Sequence, residues 1–209
     1  MTFESVIWDW NGTLLNDRDL ALSTINQLLE QRALPILGVD HYLEVFTFPV
    51  QEYYEKIGFD LHKEPFEIPA SQFIDRYTKG VAQCTLHDQA KAVLRRIQAS
   101  GCRQFILSAM EQSQLEKTVV DNGIQIHFEE LCGLDNHFAT SKIENGKRLI
   151  RTKGLNPKRT IMIGDTVHDY EVAQAMGCEC ILIANGHQSK KRLVNTGAQT
   201  LDNLSQISF

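Results

Sequence analysis

Asp9-Trp10-Asn11-Gly12-Thr13 closes a short apolar run near the start of a 209-residue chain. An acidic side chain leaving a buried strand into a Gly-Thr turn is well placed to be a nucleophile, because a carboxylate can form a covalent intermediate that splits one hard displacement into two easier ones. Three further polar sites stand near the ends of apolar runs. Ser108 follows Phe105-Ile106-Leu107, and Asp165 follows Ile161-Met162-Ile163-Gly164 with Asp169 four residues on. Lys142 lies in the loop before a helix starting near Ile143. The alternative for Asp9 is a turn cap, and for Ser108 an N-cap. Trp10 reads as packing, and His168 as a surface turn histidine.

The elements needed to bring these residues together are legible as strand and helix periods. Near-continuous apolar runs at 4–8, 103–107, 130–133, 160–163 and 178–184 suit strands covered on both faces. Between them, helical spacing over 89–100, 112–122, 143–153 and 170–176 is followed each time by a Gly stop. This alternation predicts an α/β fold, a doubly wound parallel sheet with helices on both faces. Ligands of such sheets bind outside the carboxyl ends of the strands. Residues 17–83 differ: helices are expected over 20–34, 42–48, 51–57 and 71–82, with a loop at 62–69 and no convincing strand. The expectation is a core of 1–16 and 84–209 with a helical insert, 17–83, after the first strand.

Taken in order, Asp9 with Gly12-Thr13, Ser108, Lys142, and Gly164-Asp165 with Asp169 resemble the four motifs of the haloacid dehalogenase superfamily. The closest likeness is to its phosphoglycolate phosphatase-like members, with the insert where that superfamily carries its first type of cap. The resemblance implies a phosphatase acting on a small phosphorylated metabolite, with Asp9 as nucleophile. It implies Mg²⁺ held by the carboxylates of Asp9 and Asp165 and the backbone carbonyl of Asn11, with Asp169 binding through water or orienting the shell. A hard cation of this kind takes oxygen ligands. It further implies that Lys142 offsets charge on nucleophile and phosphate, and that Ser108, Thr13 and the amides at Ala109 and Met110 bind the phosphoryl group at a helix start. Lys147 is the rival of Lys142 but reads as part of a solvated face. Ala109, and the absence of a proline after Lys142 in Ser141-Lys142-Ile143, depart from the common pattern.

Asn11 is the main departure. The superfamily's phosphatases carry a second Asp there, which protonates the leaving group and then activates water. Asn cannot exchange that proton, and general acid–base help is typically worth about 10²–10⁴-fold. Three outcomes follow: hydrolysis restricted to good leaving groups such as acyl or aryl phosphates; a substitute group such as His41, Glu52 or a metal-bound water; or a scaffold that binds a phosphate ligand or a protein without turnover. Asn11-Gly12 is also a deamidation-prone pair. A phosphonatase-type carbon–phosphorus hydrolase, with Lys56 or Lys63 as a Schiff-base lysine, is a minor alternative. Tyr53, Tyr54 and Lys56 in the insert, and Asn185-Gly186-His187-Gln188 after the last strand, are candidates to rim the pocket.

Composition sets outer bounds. Hydrophobic residues make up 43% and charged residues 22%, with a net charge of -5, so nucleic acid is not an expected partner. Lys190-Lys191-Arg192 reads as a solvated helix face. No stretch approaches the roughly 20 apolar residues of a membrane span, and the first residues lack the order of a signal peptide. Five scattered cysteines suit reduced thiols and a cytoplasmic protein, and Cys178-Glu179-Cys180 reads as core packing rather than a metal site.

Overall fold

A computed structural model describes residues 3–134 and 142–208; Ser141 lies outside the described residues. Six parallel strands form one sheet: β1 (Ser5–Trp8), β2 (Arg103–Glu111), β3 (Glu130–Leu134), β4 (Thr160–Gly164), β5 (Glu179–Ile183) and β6 (Gln199–Leu201). Their order is β3-β2-β1-β4-β5-β6. The order reverses at β1, whose two neighbours are β2 and β4, and that is where a crevice opens beyond the strand ends.

The strands read as unbroken apolar runs because both faces are covered. Val6, Trp8, Ile106, Ile161, Ile163, Ile181 and Ile183 point into one apolar layer. The alternate residues Ile7, Phe105, Leu107 and Met162 point into the other. This is the period of two expected of strands. Helices α5 (Ala90–Ala99) and α6 (Gln112–Asp121) cover the first face through Val93, Leu94, Ile97, Leu115 and Val119. Helices α7 (Lys142–Thr152) and α8 (Val167–Met176) cover the second through Leu149, Val172, Ala173 and Met176. Cys178 and Cys180 pack into that second layer, and all five cysteines are free.

Between β1 and β2 lie α1 (Arg18–Gln31), α2 (Val39–Val45), α3 (Val50–Lys56) and α4 (Glu67–Val81). They share an apolar cluster of their own built on Ile25, Leu28, Leu29, Tyr42, Tyr53, Tyr54 and Phe59. Helix α4 begins inside the stretch expected to be a loop. Pro69 falls in its first turn, where a missing N–H costs nothing. Two carbonyls of the α2 end are tied to the core. Phe46 O accepts from Gln188 Nε2 (2.9 Å) and from Arg192 Nη1 (2.5 Å), and Leu43 O accepts from Arg192 Nη1 (3.1 Å). Arg192, in the short helix α9 (Lys190–Val194), is therefore a fastening residue rather than part of a solvated face. Among the described residues no helix is long and apolar enough to cross a membrane.

Candidate active site

The parallel pairing of β1 with β4, with Trp8 opposite Ile163, delivers Asp9 and Asp165 to the same end of the sheet. Asp9 N donates to Ile163 O at 2.8 Å, carrying the pairing one residue past β1. The chain then turns at Gly12 (φ +74°), where a Cβ would run into the Asp165 carboxylate and the His187 ring. That turn brings Thr13 Oγ1 within 3.1 Å of Asp9 Oδ2 and 2.9 Å of Asp165 Oδ1. Gly186 is needed for the same reason, since a Cβ there would also strike Asp165.

Asp169 is fixed by a capping box at the start of α8. Its Oδ2 accepts from the Thr166 hydroxyl (2.7 Å) and from the amides of Thr166 (2.9 Å) and Asp165 (3.1 Å). This leaves Oδ1 for Lys142 Nζ at 2.6 Å, and the same ammonium bonds Asp9 Oδ1. Lys142 is the first residue of α7 rather than part of a preceding loop, and it is buried. Lys147, by contrast, is exposed and pairs with Glu144.

Three buried carboxylates thus converge. Asp9, Asp165 and Asp169 each offer an oxygen within 4.8 Å of the others. Burial, together with its acidic neighbours Asp169 and Asp165, pushes Asp9 well above the usual carboxylate range, against the pull of Lys142. Burial and Asp169 likewise push Asp165 up to about 6. Burial acts the same way on Asp169, but Lys142 and the Thr166 hydroxyl outweigh it and hold Asp169 low. Lys142 stays above the ordinary lysine value: burial opposes its charge, but Asp169 and Asp9 more than offset that. Ionised, the three acids and one ammonium leave an excess of two negative charges in a buried site. An all-oxygen donor set with that deficit fits a hard divalent cation.

Ser108 is fully buried and lies inside β2, which runs on to Glu111 past a register shift after Leu107. Helix α6 starts only at Gln112 and is capped by Glu111, whose carboxylate accepts from Ser113 N and Gln114 N. Ala109 and Met110 are therefore not at a helix N-terminus, which corrects the reason for expecting anion binding there. Met110 N is spent on Ser108 Oγ (3.0 Å), while exposed Ala109 lines the cavity beside Asp9.

Asn11 is tied by its side chain into a network that sequence reasoning did not find. Its Nδ2 donates to Asp17 Oδ2 (3.0 Å) and to Tyr77 Oη (2.7 Å), and its Oδ1 lies 3.3 Å from Ser108 Oγ. Asp17 occupies the N-cap position of α1 yet makes no cap hydrogen bond. Its carboxylate turns back to accept from Gly12 N (2.7 Å), Tyr77 Oη (2.5 Å) and His187 Nε2 (3.3 Å). His187 Nδ1 meets Tyr42 Oη at 2.8 Å. Burial opposes both charges of this pair. Even so, His187 holds Asp17 below its usual value, and Asp17 raises His187 to about 9. The Gly12 nitrogen that would attack the Asn11 side chain in deamidation is committed to Asp17 and to Leu15 O (2.9 Å).

A cavity of about 290 Å³ lies over these residues, roofed by the insert. Tyr53 and Tyr54 line it and are buried. His41, Glu52, Lys56 and Lys63 are exposed and do not line it, so they are not placed to act as substitute acid or Schiff-base lysine. Trp10 is buried in the apolar layer beneath. His168 stacks on Phe48 with centroids 4.8 Å apart.

Comparison with known proteins places this geometry in context. The chain is 23% identical to the tyrosine-protein kinase PtkA of Mycobacterium tuberculosis, over 96% of its own length and 71% of the relative's. It is 23% identical to a phosphoglycolate phosphatase of Xanthomonas campestris, over 88% of this chain and 84% of that one. A predicted phosphatase from Clostridium acetobutylicum superposes with a TM-score of 0.83 at 15% identity, covering 99% of this chain and 96% of the other. The family model described as haloacid dehalogenase-like hydrolase matches residues 6–183, and the chain belongs to that family.

Proposed function

We propose that the protein is a Mg²⁺-dependent phosphatase that hydrolyses a small phosphorylated substrate through an aspartyl-phosphate on Asp9. The observation that carries this reading is the approach of Asp9, Asp165 and Asp169 to one another, with Lys142 bridging two of them. A binding module has no need of a buried nucleophile held against a lysine. The names of relatives, a 5'-nucleotidase of Pseudomonas aeruginosa and phosphoglycolate phosphatases, support the same chemistry. In this reading residues 1–16 and 84–209 form the core and 17–83 the cap, with substrate held between them in a cytoplasmic enzyme.

Asp9, Asp165 and the backbone carbonyl of Asn11 would hold Mg²⁺, with Asp169 orienting them. The ion would supply positive charge beside the transferring phosphoryl group. A carboxylate oxygen of Asp9 attacks phosphorus, the bond from phosphorus to the ester oxygen breaks, and the leaving group departs with the electron pair. Lys142 offsets charge on Asp9 and the phosphoryl oxygens. Thr13, Ser108 and the backbone at Ala109 position that group. Water then cleaves the aspartyl-phosphate, releasing phosphate and restoring Asp9. Asn11 cannot deliver or accept the protons in these steps, and its amide instead holds Asp17 and Tyr77 in place.

The test is Mg²⁺-dependent phosphate release from para-nitrophenyl phosphate and acetyl phosphate by wild type and Asp9→Asn. Turnover in wild type that is abolished in Asp9→Asn is expected. If wild type is silent on both while beryllofluoride still forms an Asp9 adduct, the protein is a binding module on this scaffold.

A further inference from the structure

The cavity's two sides differ in chemistry. Among the described residues, its floor carries all of its charged groups except Asp17, at the hinge into the insert: Asp9, Glu111, Lys142, Asp165, Asp169 and His187. From residues 18–83 it receives no charged side chain. The roof is made instead by the rings of Phe46, Phe48, Tyr53, Phe66, Phe73 and Tyr77. Phe73 and Tyr77 lie nearly parallel at 14°, with centroids 5.7 Å apart, and both are half-buried. The Tyr53 hydroxyl is buried, lines the cavity and has no hydrogen-bond partner among the described residues.

A roof of this kind selects against a second anionic group on the substrate. A carboxylate set among these rings would give up its hydration for the Tyr53 hydroxyl at most, with no free cation among the described residues to receive it. Among the described residues, both cations in the lining are already engaged, Lys142 with Asp9 and Asp169, and His187 with Asp17. An aromatic ring loses nothing there and gains edge and face contacts. The volume agrees. A cavity of about 150 Å³ holds benzene, so about 290 Å³ accommodates one ring together with a phosphoryl group.

The leaving group points the same way. With Asn11 at the position of the usual acid, no side chain there protonates the departing oxygen. A phenol has a pKa near 10, against about 15.7 for water, so a phenolate leaves far more readily than an alkoxide. We infer that the substrate class is the aryl phosphate monoester, its ring against the roof and its phosphoryl group against Asp9. This inference rests on the phosphatase reading and names its substrate class. Asp9 displaces the phenolate, which keeps the electron pair of the broken bond and takes a proton from water.

Binding and turnover separate the two levels. Calorimetry in Mg²⁺ should compare benzylphosphonate, an isostere of phenyl phosphate, with 3-phosphonopropionate, an isostere of phosphoglycolate. Burial of one ring predicts at least about tenfold tighter binding of benzylphosphonate, and Phe73→Ala should narrow that preference. Equal or tighter binding of 3-phosphonopropionate, or a preference untouched by Phe73→Ala, overturns the inference. In parallel, phenyl, benzyl and acetyl phosphates are offered as substrates. Failure of all three would count against the phosphatase reading, while the binding order would still decide what the cavity accepts. With turnover present, phenyl phosphate should exceed benzyl phosphate, and the reverse order would overturn the leaving-group argument.

Discussion

Restoring the missing carboxyl group with Asn11→Asp should have an outcome set by Asp17. In the wild type, Asn11 Nδ2 donates to Asp17 Oδ2 at 3.0 Å and to Tyr77 Oη at 2.7 Å. The substitution replaces that donor with a carboxyl oxygen facing a carboxylate at the same distance. Two unit charges at 3.0 Å with an effective dielectric near 20 repel by about 5.5 kcal/mol. Keeping one carboxyl protonated at pH 7, from an ordinary value of about 3.9, costs about 4 kcal/mol. The second figure is smaller, so the pair takes up a proton, and the loss of stability is capped near 4 kcal/mol at pH 7. The cap falls to about 1.5 kcal/mol at pH 5. A carboxyl group that retains its proton at neutral pH is a competent general acid. Turnover of benzyl phosphate should therefore rise by about 10²-fold or more, while phenyl phosphate, which needs little protonation, changes much less. Denaturant unfolding of wild type and variant at pH 5, 6 and 7, with initial rates on both esters, reads all of this. A stability gap that does not shrink as pH falls, or an equal gain on both esters, would refute the reasoning.

The Asp17–His187 pair gives stability its own pH dependence. His187 is raised from 6.5 to about 9 in the fold, so its contribution is complete below about 6.5 and is lost as pH rises through about 9. Metal-free wild type should lose a few kcal/mol across that window, His187→Gln should show a flatter curve, and parallel curves would count against the pairing. The acidic cluster makes a metal prediction that needs no substrate. Mg²⁺ at about 100 times its dissociation constant should stabilise wild type by about 2.7 kcal/mol, a rise of roughly 5–10 °C in Tm for a chain of this size. Asp165→Asn should lose most of that rise, and an undiminished rise would remove Asp165 from the ion site.

How far the sequence reaches can be judged residue by residue. The strands carrying Asp9, Ser108 and Asp165 were legible because both faces of the sheet are covered, which makes each strand an unbroken apolar word. The helix ends were legible because Gly101, Gly123, Gly154 and Gly177 all adopt positive φ, a conformation glycine reaches without steric cost. Strand β6 escaped because three residues, Gln199–Leu201, are too few to show a period. The start of α4 escaped because Pro65 and Pro69 read as loop residues, and only the fold places Pro69 in a first turn. Ala109 and Met110 read as a helix start because the sequence does not reveal the register shift that keeps the chain extended to Glu111.

The partners of Asn11 were hidden for a different reason. Asp17 falls at the start of the insert, Tyr77 within its expected last helix, and His187 in a stretch expected only to rim the pocket. None has a local pattern that ties it to Asn11. Only the fold brings Tyr77 across 66 positions to Asn11 Nδ2, and His187 across 170 to Asp17. The Asn11 substitution, read alone, suggests a catalytic group deleted from an otherwise standard site. Within the fold, the amide is a donor that a carboxylate could not replace without taking up a proton, since Asp17 Oδ2 already accepts from Asn11 and from Tyr77. A half-buried donor facing two acceptors is costly to remove. Asn11 and Asp17 are thus one structural unit, and a change at either position has to be judged against the other.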